Sequence, residues 1–319
     1  MSDVPARVTI TEEGPREGFQ SEPPGIATEA KIRLVEALAE TGVTRITCAS
    51  FVDARRLPQM ADAEAIAAGI RRRAGVAYTG LWLNEKGFRR AEASGLDLDP
   101  LIVGSASDTF LMRNNNRTPE ASLADQRRML EVYADAGLSP GPIYLFTAFG
   151  CNYEGDVPVA KVVACTDSLI GLYDERGIAP SALYLCDTVG AANPMLVSTI
   201  VGAIRERWPS LEIALHLHDT RGIGMANVLA GLQMGVARFD ASVGGLGGCP
   251  FAGNRAAAGN IATEDLVFLC EEMGIQTGID LEALIEAARL AEGIVCHPLP
   301  GRVMKAGSLA RFRHAEMRQ

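Results

Sequence analysis

His216-Leu217-His218-Asp219 closes the short apolar run Ile213-Ala214-Leu215. Alternate side chains of an extended strand share a face, so His216 and His218 point the same way. Two imidazoles on one face at a strand end form half of a divalent-metal site. The chain has four histidines in 319 residues, and this pair uses two of them. A lone histidine reads first as a satisfied core or cap residue; the paired spacing favours a metal.

Other segments carry groups that suit the same centre. Glu12-Glu13-Gly14-Pro15-Arg16-Glu17-Gly18-Phe19-Gln20 sets an acid beside an arginine in a tight glycine-flanked turn. Glu17 offers a hard oxygen ligand, and Arg16 a planar fork of donors for an oxyanion. Gly244-Gly245-Leu246-Gly247-Gly248-Cys249-Pro250 reads as a loop able to close over a substrate. Cys249 is its candidate proton donor or acceptor. No Gly-Lys-Ser/Thr follows, so this is not a phosphate-binding loop. Asn260, just before the helix start Thr263-Glu264-Asp265, offers a carbonyl oxygen. Asp187 stands at another strand end, where it would line the metal or a substrate carboxylate, or orient a neighbour.

These groups need a scaffold that brings strand ends together. Short apolar strands are expected at 7–10, 43–50, 77–82, 101–104, 143–148, 183–187, 213–218 and 238–243. Helical patterns fall between them at 28–40, 61–73, 87–93, 118–136, 157–175, 194–207, 225–234 and 263–273. Eight βα units without a composition break predict one (β/α)8 TIM barrel, with a doubly wound open sheet as the alternative. The expected division is a catalytic barrel over 1–295, including a ninth helix at 280–293, and a tail or small helical cap over 296–319. In such a barrel chemistry sits where strands end. The residues there are polar, glycine-rich or ligand-competent; the loops entering the strands, such as Thr41-Gly42, are bland. In the strand at 213–218, Ile213, Leu215 and Leu217 should face the helices, and Ala214, His216 and His218 the interior.

Bulk composition narrows the partners. A net charge of −9 argues against nucleic acid and anionic membranes. The seven cysteines are scattered singly with no Cys-x-x-Cys pair, which argues against a zinc knuckle. No signal pattern or membrane-length apolar run is evident, so a reducing cytoplasmic compartment is expected.

Taken together, the segments resemble the 3-hydroxy-3-methylglutaryl-CoA lyase family, within the metal-dependent barrel lyases and Claisen-type condensing enzymes. The resemblance rests on Gly14–Gln20, Ser50-Phe51-Val52, Pro58-Gln59-Met60, Gly150-Cys151-Asn152-Tyr153-Glu154-Gly155, Asp187-Thr188-Val189-Gly190, His216–Thr220, and Gly245–Pro250 running on to Gly259–Asp265. It implies a divalent cation (Mg²⁺ or Mn²⁺ first, Zn²⁺ or Co²⁺ also permitted) on Glu17, His216, His218 and Asn260. It also implies a catalytic Arg16, a loop Cys249, an acyl-CoA substrate and a homodimer. Gln20, Ser50 and Arg255 are the candidate substrate contacts. The implied reaction is retro-Claisen cleavage of a 3-hydroxyacyl-CoA, with His216 or a bound water as base, Arg16 holding the enolate oxygen, and Cys249 protonating carbon. A condensing acyltransferase of the isopropylmalate or homocitrate synthase type, or an inactive binding barrel, are the alternatives. The chain departs from the family pattern in three ways. Glu17 and Phe19 stand for Asp and Leu, Thr47 stands for glutamate, and 251–259 is longer by about two residues, adding Asn254-Arg255. The departures fall at the substrate site, which allows a thioester related to the methylglutaryl one.

Overall fold

The computed structural model describes residues 4–247 and 258–313. Its eight parallel strands are β1 (Thr9–Glu12), β2 (Arg45–Ser50), β3 (Ala77–Leu81), β4 (Ile102–Ser105), β5 (Ile143–Phe146), β6 (Leu183–Cys186), β7 (Ile213–His216) and β8 (Arg238–Ala241). The spatial order is β3-β2-β1-β8-β7-β6-β5-β4. Pairing of β1 with β8, Thr9 opposite Arg238 through Glu12 opposite Ala241, curls the sheet round on itself. A doubly wound sheet would not join its first and last strands. Among the described residues no ladder joins β3 to β4, so the barrel wall has one unpaired seam.

The outer helices are α1 (Thr28–Ala39), α2 (Ala63–Gly69), α3 (Glu85–Ser94), α4 (Asp108–Asn115), α5 (Pro119–Asp135), α6 (Val159–Asp174), α7 (Pro194–Arg207), α8 (Gly224–Gln233), α9 (Thr263–Glu272), α10 (Leu281–Val295) and α11 (Val303–Ala306). Helix α4 was not anticipated. Its signal is local: Ser107 accepts a hydrogen bond from the Phe110 N–H at 3.1 Å, an N-cap. Strand β1 lies about two residues further along than expected, which puts Glu12 inside the sheet.

The main core fills the space between sheet and helices. Leu34, Ile46, Leu145, Leu185, Leu215 and Phe239 are fully buried there. Gly231 of α8 lets Leu215 approach: a Cβ at 231 would lie 2.5 Å from Leu215 Cδ1. This fixes the outward face of β7, leaving Ala214 and His216 inside as the alternation requires. Inside the barrel, Ala214, Tyr184 and Cys186 pack with Tyr144 and Phe146. The Tyr144 and Tyr184 rings stack at 4.2 Å. This inner cluster supports the site from below.

Candidate active site and metal centre

The turn after β1 is a single wide helical turn, Gly14–Gly18. The Glu13 carbonyl accepts from the N–H groups of Arg16 and Glu17 at 3.0 and 2.7 Å. That closure points the Arg16 and Glu17 side chains over the barrel mouth. Glu12 braces the turn from beneath. Its carboxylate accepts from Gly14 N–H (2.8 Å), Val243 N–H (2.9 Å) and the Thr263 hydroxyl (2.6 Å), joining the ends of β1 and β8 to the start of α9. Burial pushes its pKa up to about 7 against those hydrogen bonds. Gly14 must be glycine here, because a Cβ would sit 2.7 Å from Glu12 Oε1.

His216 ends β7, and His218 lies just beyond it, held by a backbone bridge to Asn260. Glu17 Oε1 is 3.4 Å from His216 Nε2 and 3.6 Å from His218 Nε2. Ligand atoms of these three residues all lie within 4.8 Å of one another. Neighbouring ligands on a cation with bonds of about 2.1 Å are roughly 3.0–3.5 Å apart in octahedral or tetrahedral geometry. Asn260 donates its amide N–H to Glu17 Oε1 at 3.1 Å, and its buried Oδ1 has no partner. The donor set and the orphaned acceptor therefore fit a divalent cation held by Glu17, His216, His218 and Asn260.

Asp240 of β8, an inward position, lies with its Oδ2 3.2 Å from His216 Nδ1. A carboxylate only accepts, so Nδ1 carries the proton and Nε2 faces Glu17. This is the carboxylate–histidine pairing that orients a metal ligand. Both His216 nitrogens are engaged, which favours water over His216 as the base. Burial disfavours the imidazolium, but the charges of Glu17 and Asp240 outweigh it and hold the His216 pKa well above its ordinary value. Burial likewise opposes ionisation of Glu17, yet His216 and Arg16 keep that carboxyl well below the usual range.

Arg16 is clamped between two carboxylates. Nη1 is 3.0 Å from Glu17 Oε2, and Nη2 is 2.5 Å from Glu13 Oε2. Its buried Nε–H has no partner. Glu13 in turn accepts from the Thr47 hydroxyl at 2.7 Å. The negative charge expected to be missing at Thr47 is thus supplied from the adjacent strand end. Burial pushes the Glu13 pKa up to about 7; Arg16 opposes the shift, and Asp240 and Glu17 add to it.

These groups border a cavity of about 270 Å³. Arg16, Glu17, Gln20, Thr47, His216 and His218 line it on one side. Leu81, Leu101, Val103, Phe110 and Phe146 line the side towards the β3–β4 seam. Gln20 reaches the cavity, as the sequence suggested. Ser50 and Asp187 do not line it. Ser50 is fully buried at the end of β2. Asp187 turns Oδ1 onto the N–H groups of Ala191 and Ala192 at 2.7 and 3.0 Å and organises the loop after β6. Cys249 and Arg255 lie outside the described residues. Of the tail arginines, Arg302 pairs with Asp219 at 3.1 Å and Arg313 with Glu272 at 2.7 Å.

Glu13, Glu12 and Asp240 were missed as site residues. Each is a carboxylate at an inward or strand-end position in an otherwise apolar strand. A buried acid beside the two-histidine strand was the available signal.

Comparison with known proteins places this geometry. Residues 7–291 match the family model described as HMGL-like. The chain belongs to the HMGL-like family. Within that family it is 43% identical over 298 residues to hydroxymethylglutaryl-CoA lyase YngG of Bacillus subtilis, covering 93% of this chain and 96% of that one. It is 39% identical over 289 residues to the mitochondrial hydroxymethylglutaryl-CoA lyase of Homo sapiens, covering 90% and 85%. The Bacillus subtilis HMG-CoA lyase crystal structure superposes with a TM-score of 0.88 at 42% identity, covering 95% of this chain and 98% of that one. An Acinetobacter baumannii HMG-CoA lyase in complex with coenzyme A and 3-methylmalate gives 0.84 at 38% identity, covering 96% of each.

Proposed function

We propose that this HMGL-like protein is a divalent-metal-dependent carbon–carbon lyase. Its substrate is a 3-hydroxyacyl-CoA, 3-hydroxy-3-methylglutaryl-CoA or a related thioester, cleaved to an acyl-CoA and a keto acid. For the methylglutaryl thioester the products are acetyl-CoA and acetoacetate. The observation that carries this reading is the grouping of Glu17, His216 and His218 ligand atoms within 4.8 Å, with Arg16 3.0 Å from Glu17 beside an open cavity. The names of the relatives support the substrate class.

Glu17, His216, His218 and Asn260 would hold the cation, with Mg²⁺ or Mn²⁺ suiting this nitrogen-and-oxygen set. When bound, such an ion supplies Lewis acidity at the substrate hydroxyl and carbonyl oxygens. The hydroxyl proton leaves to water in the cavity, and the C2–C3 bond breaks. C3 becomes the ketone carbon and the thioester fragment an enolate. Arg16 directs its guanidinium at the enolate oxygen, where fixed donors act most strongly on developing charge. Cys249 returns a proton to carbon. Asp240 keeps His216 in the tautomer that leaves Nε2 for the ion. Gln20 orients the substrate at the rim, and Asp187 positions the loop after β6.

The reading extends to organisation. The catalytic unit is the barrel over 1–295, with 296–319 a small cap, and the enzyme works as a cytoplasmic homodimer. The cysteines described are all free thiols, which supports a reducing compartment. Among the described residues no helix is long and apolar enough to cross a membrane.

The test is turnover of 3-hydroxy-3-methylglutaryl-CoA before and after chelation. Acetoacetate should form, stop on metal removal and resume with Mg²⁺ or Mn²⁺. Full activity in the stripped protein overturns the metal assignment. Release of CoA from acetyl-CoA and a keto acid, without cleavage, reassigns the direction to condensation.

A further inference from the structure

A carboxylate that gives one oxygen to an ion shares its charge between that ion and any arginine on its other oxygen. Glu17 faces Arg16 Nη1 with Oε2, but its Oε1 points at both imidazoles. Once Glu17 serves an ion, a second anion strengthens the hold on the guanidinium. The structure offers one. Glu13 Oε2 meets Nη2 at 2.5 Å, and Glu13 itself is 3% exposed, so the contact is shielded from solvent. The carboxylate is in turn fixed from the adjacent strand by the Thr47 hydroxyl at 2.7 Å. Thr79 of β3 donates to Thr47 Oγ1 at 3.4 Å. A file of inward side chains from three adjacent strands therefore ends on the guanidinium. All four residues border the same cavity.

We infer that Glu13 is the positioning residue for Arg16, holding the guanidinium at the metal centre, and that what matters is where its carboxylate lies rather than which strand supplies it. The inference rests on the proposed lyase reading, in which Arg16 meets the enolate oxygen. The pairing of the strands makes it testable by relocation. β1 and β2 run in parallel register, Thr11 opposite Arg45 and Glu12 opposite Ile46, so positions 13 and 47 are the next neighbours in line. Thr47 Oγ1 already touches the Glu13 carboxylate. A glutamate at 47 extends two bonds beyond that γ-position, roughly 2.5 Å at about 1.5 Å per bond. That reach matches the 2.7 Å from Thr47 Oγ1 to Glu13 Oε1. A carboxylate from β2 can thus replace one from β1 once Glu13 is shortened.

The experiment compares wild type, Glu13→Gln, Glu13→Val, Glu13→Ala, Glu13→Val/Thr47→Glu and Glu13→Ala/Thr47→Glu. Each is assayed for cleavage of 3-hydroxy-3-methylglutaryl-CoA and, separately, for Mn²⁺ affinity by calorimetry. Losing a buried charge-assisted contact that acts in the transition state should lower kcat about 30-fold in the single variants. KM and Mn²⁺ affinity should stay within about threefold, because neither thioester binding nor ion binding uses Glu13 directly. The double variants should regain at least about tenfold in kcat over their parents. A role in folding alone would move Mn²⁺ affinity and melting temperature together with kcat, and the relocated acid would not restore turnover. The inference is overturned if the single variants keep wild-type kcat. It is also overturned if folded, Mn²⁺-binding double variants recover nothing. If Glu13→Val does not fold, the pair built on Glu13→Ala carries the same comparison. Wild type that binds Mn²⁺ but cleaves no thioester would fault the lyase reading instead, and the two failures are distinguishable on that basis.

Discussion

Replacing Asp240 by Asn probes how the barrel prepares His216 for its ion. The substitution keeps volume and an acceptor oxygen but removes the charge. In the protein the Nδ1–H of His216 faces Asp240 Oδ2 at 3.2 Å, and Asp240 is fully buried. A hydrogen bond to a charged partner contributes about 1.5–3 kcal/mol, and a neutral one about 0.5–1.5 kcal/mol. The difference, about 1–1.5 kcal/mol, corresponds to roughly tenfold in affinity. Asp240→Asn should therefore weaken Mn²⁺ binding about tenfold, at the lower end of what supporting carboxylates contribute. Stability should suffer little. The Asp240 charge repels Glu13 and supports a charged His216, so neutralisation relieves one contact as it weakens the other. The assay is calorimetric Mn²⁺ titration beside a thermal melt. Affinity unchanged within about twofold would refute the argument that Asp240 fixes the His216 tautomer. A collapse of the melting temperature would refute the claim that this charge is held at a cost.

Mn²⁺ affinity should also rise with pH. The His216 pKa lies well above its ordinary value without an ion, so binding displaces a proton, and affinity should increase by up to about tenfold per pH unit below that pKa. A flat titration would contradict the protonation assigned to His216. Glu264, buried beneath the loop after β8, has its pKa pushed up by burial to about 8, against 4.5 when exposed. Between those values the folded state holds more protons than the unfolded one, so stability falls as pH rises, by up to about 1.4 kcal/mol per unit. Glu264→Gln should flatten that slope in thermal melts; an unchanged slope would remove Glu264 from the account. Gly14→Ala should destabilise by about 1–3 kcal/mol, since its Cβ would lie 2.7 Å from Glu12 Oε1 and 2.9 Å from Val243 Cγ1. A denaturant midpoint equal to wild type would show that the Glu12 brace is looser than its hydrogen bonds indicate.

The barrel and most of its ligands were readable because both obey short-range rules. Strand alternation alone sent His216 and His218 inward, the strand-end rule added Glu17 and Arg16, and Asn260 was read from its place just before a helix start. What escaped depended on register between strands. Thr47 looked like a lost charge because nothing in the linear order tells that β1 and β2 set positions 13 and 47 side by side. Asp240 was hidden for the same reason: its meaning comes from lying opposite His216 across the β7–β8 pairing. The choice between His216 and water as base likewise turned on a contact from the neighbouring strand. Ser50 was legible as a strand end, but its exposure was not: it pairs with the cavity-lining Leu81 across the β2–β3 ladder and is itself 0% exposed. Closure, too, needed the β1–β8 ladder, which periodicity cannot supply.

The central claim is one divalent ion gripped by Glu17, His216, His218 and Asn260. Anomalous diffraction from crystals soaked in Mn²⁺ reads it directly. The account predicts a single strong peak at about 2.1–2.3 Å from Glu17, from both imidazoles and from the Asn260 carbonyl oxygen. A peak elsewhere, or an empty mouth under saturating Mn²⁺, would contradict it.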